Sequence, residues 1–311
     1  MGVFVFLPLV LPLTAWPIAR LAEHHLHPRV ATRLLSGVGA VLALCSTLCL
    51  GLLAIVGTAQ LPGNPLPDGW ADPEVRAAVP HDEVVGKCAI GVLAATVVAC
   101  SALVLRHRRV RRRTARALRG LPATQIAVLP DATPYAHTLP AGRSGGRILV
   151  STGMLESLDS RERRALFAHE RAHLFGRHHR YLLLAGLAAR ANPFLRPLRT
   201  SVAYTVERWA DEDAALRVGD RRVTARAVGK AALISRTAPD PLLASFALPG
   251  PVPRRVAALL APAPAARTWP PTFTAAGLAA WAAAAGAALS AMSSANSVVT
   301  LIVILHAATP L

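Results

Sequence analysis

Cysteine is scarce and poorly placed for chemistry. The chain has 4, namely Cys45, Cys49, Cys88 and Cys100, all within or beside apolar runs. No C-x-x-C pair occurs, so neither a disulfide framework nor a cysteine zinc site is indicated, and the four read as small packing residues. Lysine is rarer still, with Lys87 and Lys230 alone, so arginine carries the positive charge. Acidic residues number 17 against 34 basic ones. No nucleic-acid-binding motif accompanies the resulting net charge of +17, so no direct nucleic-acid partner is expected. Charged residues are only 16% of the 311 and hydrophobic ones 53%; with a mean hydropathy of +0.41, that excludes an ordinary soluble domain.

What is abundant is uninterrupted apolar sequence. A bilayer core takes about 20 consecutive apolar residues to cross, and residues 2–19, 34–57, 88–105 and part of 273–308 reach that length. The first lacks the basic segment of a signal peptide, contains Pro8, Pro12 and Pro17, and meets its first positive charge only at Arg20, so it reads as an uncleaved span. Ser293, Ser294, Asn296 and Ser297 interrupt the last, leaving open one long helix or a span with a weaker tail. Arg20, Arg29 and Arg33 lie between the first two spans, and a dense run from Arg106 through Arg119 follows the third. The loop from Gln60 to Lys87 is mostly acidic. The positive-inside rule then puts the N-terminus outside and the long central segment in the cytoplasm, with the arginine run against anionic headgroups. The expected fold is an α-helical multi-pass membrane protein of about four spans. Residues 1–105 hold three of them, 106–271 form an inserted cytoplasmic α+β domain, and 272–311 supply the last.

The central segment shows no internal repeat. Gln125 to Leu129, Tyr135 to Leu139 and Arg147 to Ser151 read as short strands, with a turn at Pro130 to Thr133 and a loop at Gly142 to Gly146. Asp159 and Glu162 have capping-box spacing, so a helix should start near Ser160. Asn192-Pro193 and Pro197 break the pattern after Arg190. A further helix is expected from about Thr200 to Val218, on the apolar spacing of Val202, Val206, Trp209, Ala210 and Ala214. The proline-rich stretch from 239 to 271 reads as loop apart from a short helix around Arg254 to Leu260.

The helix after Asp159 carries His169-Glu170-Arg171-Ala172-His173. Positions four apart share one helix face, so both imidazoles can reach one cation while Glu170 sits beside its open coordination position. Zn²⁺ with three protein ligands keeps a place for water, lowers its pKa to about 7 and polarises a scissile carbonyl. Glu170 is the general base in this scheme, taking the water's proton and passing it to the leaving amine.

Two residues compete to be the third ligand. His179 completes a formal H-E-x-x-H-x-x-G-x-x-H with Gly176 at the bend, but that class needs a methionine turn downstream. Met154 precedes the motif and Met292 lies in the terminal apolar region. The apolar run Tyr181 to Leu187 suggests that the helix continues past Gly176 instead of turning back. His178 and His179 then read as exposed or interfacial polar residues. Glu207 is the preferred ligand; Asp211, one turn on along the same face, is placed to hydrogen-bond a ligand histidine.

Leu149-Val150-Ser151-Thr152-Gly153-Met154-Leu155, then Ala168 to His173, then Glu207-x-x-Ala210-Asp211 resemble the BlaR/MecR class of membrane metallopeptidases and, more distantly, HtpX and the CAAX prenyl proteases. The resemblance covers about 121 to 260. It implies a gluzincin fold in which an edge strand, expected at Ile148, Leu149, Val150 and Ser151, pairs with an extended substrate. It also implies proteolysis linked to inactivating a transcriptional repressor. The chain ends at Leu311, soon after the last span, so the penicillin-binding sensor of that class is not expected. For the oxyanion, Arg255 is a weak candidate among many arginines, and the stabilising residue stays unassigned.

Overall fold

The computed structural model describes residues 2–117, 124–142, 145–235, 251–265 and 272–309. Four stretches are long and apolar enough to cross a membrane: Phe4–His25, Pro28–Ala59, Asp82–Arg113 and Ala276–Ala307. The first is broken into short helical turns by its prolines, which cannot donate to the preceding turn, and ends in a regular helix, α1 (Ala15–His25). The second is α2 (Pro28–Ala59), and the third continues without interruption through most of the arginine run as α3 (Asp82–Ala117); Arg119 lies outside the described residues. At about 1.5 Å per residue, α2 and α3 are longer than a hydrocarbon core of about 30 Å, so their ends project beyond it.

The C-terminal stretch is one continuous helix, numbered α9 below (Ala275–Ala307), and not a span with a separate tail. Its serines face inward: Ser290, Ser293, Ser294 and Ser297 are buried, Ser293 donates to the Phe4 carbonyl at 2.7 Å, and Ser294 Oγ lies 3.5 Å from Cys49 Sγ. Small polar side chains let helices approach closely and find partners inside a bundle. The α2–α3 crossing depends on glycine more strictly, because a Cβ on Gly57 would come within 2.2 Å of the Gly86 carbonyl carbon.

The central segment adds a small sheet, β1 (Ile126–Leu129), β2 (Ala136–Gly142) and β3 (Gly145–Ser151), in the order β1-β3-β2. β1 runs parallel to β3, and β2 runs antiparallel to it. The expectation that β3 is an edge strand is overturned: Ile148, Leu149, Val150 and Ser151 pair on both sides and are buried. The edges are β1 and β2. The loop expected at Gly142 to Gly146 is shorter than its glycines suggest, since the flanking strands extend into it.

After a single short turn of helix at Thr152–Glu156, the described residues contain five longer helices, α4 (Ser160–Phe175), α5 (His178–Ala191), α6 (Arg196–Val218), α7 (Arg221–Ser235) and α8 (Val252–Leu260), with α9 after them. The capping box at the start of α4 is complete, with the Asp159 carboxylate accepting from Arg161 and Glu162 N–H and Glu162 accepting from Asp159 N–H. Pro197 sits in the first turn of α6, where its missing N–H costs nothing, so α6 begins earlier than Thr200. Most of the proline-rich stretch from 239 lies outside the described residues.

One apolar cluster joins the two regions that the sequence divides near residue 105. Ala15, Ala19 and Ala22 of α1, Leu35, Val38 and Leu42 of α2, Ala185 and Ala188 of α5, and Leu198, Val202 and Val206 of α6 belong to the same core. Polar contacts reinforce it: Thr32 donates to Thr205 at 2.9 Å, and Asn192 Nδ2 donates to Ser46 at 3.1 Å.

Candidate metal centre

α4 and α6 face each other through small side chains. Ala165, Ala168 and Ala172 on α4 and Ala210 and Ala214 on α6 are buried, and the close approach they permit brings the ends of longer neighbours together. His169 and His173 are one helical turn apart on α4, and Glu207 meets them from α6. His169 Nε2 and His173 Nε2 are 3.1 Å apart, and Glu207 Oε2 and Oε1 lie 3.6 and 3.5 Å from them respectively. Tetrahedral Zn²⁺ with bonds of about 2.05 Å separates its ligand atoms by roughly 3.3 Å. The separations, taken to the two oxygens of the one carboxylate, bracket that value, and two imidazole nitrogens with the Glu207 carboxylate form a suitable donor set. Among the described residues this is the group placed to hold a metal ion, and His179 is not part of it.

Around these three lies a ring of partners. Asp211 Oδ1 is 3.1 Å from His169 Nδ1, the nitrogen facing away from the triangle. Arg255, from α8, places Nε and Nη2 2.8 and 2.6 Å from the two Asp211 oxygens and Nη1 2.9 Å from Glu207 Oε2. The guanidinium is therefore committed to the buried Asp211 and the half-buried Glu207 carboxylates, which argues against the weak oxyanion candidacy of Arg255. Such a fork suits paired carboxylate recognition.

The charges respond accordingly. Burial pushes the His169 imidazole down, but Asp211 and Glu207 outweigh it and raise its pKa to about 10. Burial pushes Glu207 up, yet Arg255, His173 and His169 hold it far below the usual carboxylate range. Asp211, buried and likewise opposed by Arg255 and His169, is held down to about 2. The pocket is thus built to keep its carboxylates ionised and to favour positive charge on His169, while burial pushes His173 down, toward the neutral form.

The helix does not continue past Gly176. α4 ends at Phe175, Arg177 takes a left-handed conformation with φ 52°, and α5 begins at His178. The break turns His178 inward, so the expectation of an exposed side chain fails for it. His178 is 1% exposed, its Nδ1 lies 2.9 Å from His173 Nδ1, and its ring packs 4.5 Å from that of Trp209. Burial and the neighbouring His173 push its pKa down to about 2, so it stays neutral and can steady His173 without competing for charge. A Cβ on Gly176 would lie 2.3 Å from His178 Nε2. Glycine at that position is what makes room for the ring.

Glu170 is buried beside the triangle and meets β2. Thr138 Oγ1 lies 2.6 Å from Glu170 Oε2 and 2.8 Å from the Glu170 carbonyl oxygen. Sequence reasoning missed Thr138 and His178. No local pattern marks a threonine that reaches from a strand to a helix some thirty residues on, while the H-H pair after Gly176 was visible but assigned to the surface.

Residues 105–195 match the model of Peptidase family M48. A stretch of 55 residues is 40% identical to the protease HtpX homolog of Chlorobium phaeobacteroides (strain BS1), covering 18% of this chain and 18% of that protein. The matched stretch thus spans about a fifth of the relative's length. No solved structure is significantly similar. The part of the chain that carries His169, Glu170 and His173 is therefore similar to a metallopeptidase family, on a scaffold of apolar helices fit for a membrane.

Proposed function

We propose that the chain is a zinc-dependent membrane endopeptidase that cleaves protein substrates at the cytoplasmic face. The observation that carries this reading is the convergence of His169, His173 and Glu207 from two helices, with Glu170 alongside. His169, His173 and Glu207 are the metal ligands, with Asp211 and Arg255 fixing His169 and Glu207. Bound there, zinc supplies a Lewis acid for the scissile carbonyl and lowers the pKa of water. Glu170 takes a proton from the attacking water and returns it to the departing amine nitrogen, which leaves the carboxylate as it began.

The substrate strand belongs on β2. Ser151 N–H donates to the Tyr135 carbonyl at 3.0 Å, and the antiparallel register then makes His137 and Leu149 the next hydrogen-bonded pair. Ala136 and Thr138 consequently turn their N–H and C=O away from β3, toward the outer edge. An extended segment pairing there is read through its backbone, which selects unfolded or loosely held chain over a particular sequence.

Two substrate readings follow. The BlaR/MecR-like layout of spans supports regulatory proteolysis, with a transcriptional repressor as substrate. The similarity to the HtpX homolog supports removal of damaged membrane proteins. The orientation with the N-terminus outside rests on Arg20, Arg29 and Arg33, on the run from Arg106 through Arg119, and on the mostly acidic loop from Gln60 to Lys87.

The test is comparative proteomics of cells carrying wild type or Glu170→Ala, with zinc measured on the purified proteins. Both should hold zinc, and only wild type should yield fragments: one discrete product for a regulator, many membrane-protein fragments for quality control. Identical fragment sets together with an unchanged cellular effect would instead make the chain an adaptor with a structural zinc.

A further inference from the structure

We infer that Thr138 is the positioning residue for Glu170, its hydroxyl holding one carboxylate oxygen while its own backbone lies on the strand edge where substrate pairs. The inference rests on the peptidase reading and adds to it the device that ties docking to the base.

A hydroxyl has one proton and two lone pairs. Thr138 Oγ1 has two acceptors within reach, Glu170 Oε2 at 2.6 Å and the Glu170 carbonyl at 2.8 Å. While Glu170 is ionised, the O–H points to Oε2, which leaves Oε1 to receive the proton of the attacking water. After that transfer the carboxyl group is neutral, and the O–H can swing to the carbonyl. The heavy atoms stay still, Thr138 keeps its own proton throughout, and the proton gained at Oε1 departs with the leaving amine. Both protonation states of Glu170 thus find a partner in one side chain.

The backbone of the same residue matters as well. Thr138 pairs in register with Ile148 at a position whose N–H and C=O face outward. A peptide hydrogen-bonded there is anchored one residue's width from the group that sets the base, so the scissile carbonyl and the Glu170 carboxylate are registered against a common atom frame. Valine and threonine are similar in shape, and both favour strands, which makes the hydroxyl separable from the fold.

The experiment compares Thr138→Val and Thr138→Ser with wild type, all purified full length with zinc content measured, using a dye-labelled casein as probe. Valine should lower kcat by about tenfold to a hundredfold with KM within about twofold, since the backbone edge is intact. Serine should restore kcat to within about threefold, and zinc should be equal in all three. In the metal-free proteins, the infrared carboxylate band of Glu170, isolated by difference against Glu170→Gln, should shift in the valine variant and not in the serine one. A valine variant with wild-type kcat, or a serine variant as impaired as valine, overturns the inference alone. A wild type that hydrolyses nothing while the infrared shift persists overturns the peptidase reading and with it the role as base positioner, leaving only the contact.

Discussion

His173 is held from both ends of its ring, by the metal triangle at Nε2 and by His178 at Nδ1. A ligand histidine oriented in this way loses affinity when its outer partner goes, by about tenfold to a hundredfold in comparable sites. Asp211→Asn, acting on His169, and His178→Phe, acting on His173, are each expected to weaken zinc by that factor, measured by competition with a chromogenic chelator. Gly176→Ala should resemble His178→Phe, because the added methyl group occupies the space of the His178 ring. Arg255→Met would leave the buried Asp211 and the half-buried Glu207 carboxylates without their shared cation, which is expected to lower stability by about 3–5 kcal/mol. Thermal unfolding of the metal-free protein is the measurement. The paired histidines were legible because i and i+4 is a local relation. Arg255 was legible as a residue but not in its role, since its partners lie more than forty positions away.

At the scale of elements, α4 is fixed by its first turn. Glu162 is buried and accepts from Arg226 at 2.8 Å and Lys230 at 3.1 Å on α7, as well as from Asp159 N–H. Burial pushes its pKa up, but the hydrogen bonds from Asp159, Lys230 and Arg226 outweigh that, and the carboxyl is held below its ordinary value. A depressed carboxyl contributes its stability above its unfolded pKa of about 4.3 and loses it as pH falls through the folded value. The melting temperature of wild type should therefore fall between about pH 5 and pH 3. Glu162→Gln should melt lower at neutral pH and show a shallower acid slope. The capping box and the start of α4 were readable because they depend on three or four successive residues. Strand order was not: Arg147 to Ser151 could be recognised as a strand, but its place between β1 and β2 follows from a parallel pairing across more than twenty residues.

At the scale of the whole molecule, the four spans could be counted from hydropathy, the second and third reaching beyond their apolar runs at both ends. What composition could not reveal is that α5 and α6 share a core with α1 and α2. The apolar stripe Leu198, Val202 and Val206 looks like any amphipathic helix until its partner is known. Residues 106–271 expressed without the spans would expose that stripe, and such a patch promotes association. The expected outcome is an aggregated fragment that does not retain zinc, checked by size-exclusion chromatography and metal analysis, whereas the full chain in detergent retains it.

Trp209 sits where these scales meet. Its ring packs on His178, and the guanidinium groups of Arg29 and Arg33, from the first turns of α2, lie 5.3 and 5.6 Å from its centre. The stack joins the start of a long apolar helix to a partner of the candidate metal centre, so bilayers of graded acyl-chain length, which change the inclination of such a helix to match their thickness, are expected to grade hydrolysis by the proposed peptidase; equal rates across the series would show that the stack passes nothing on.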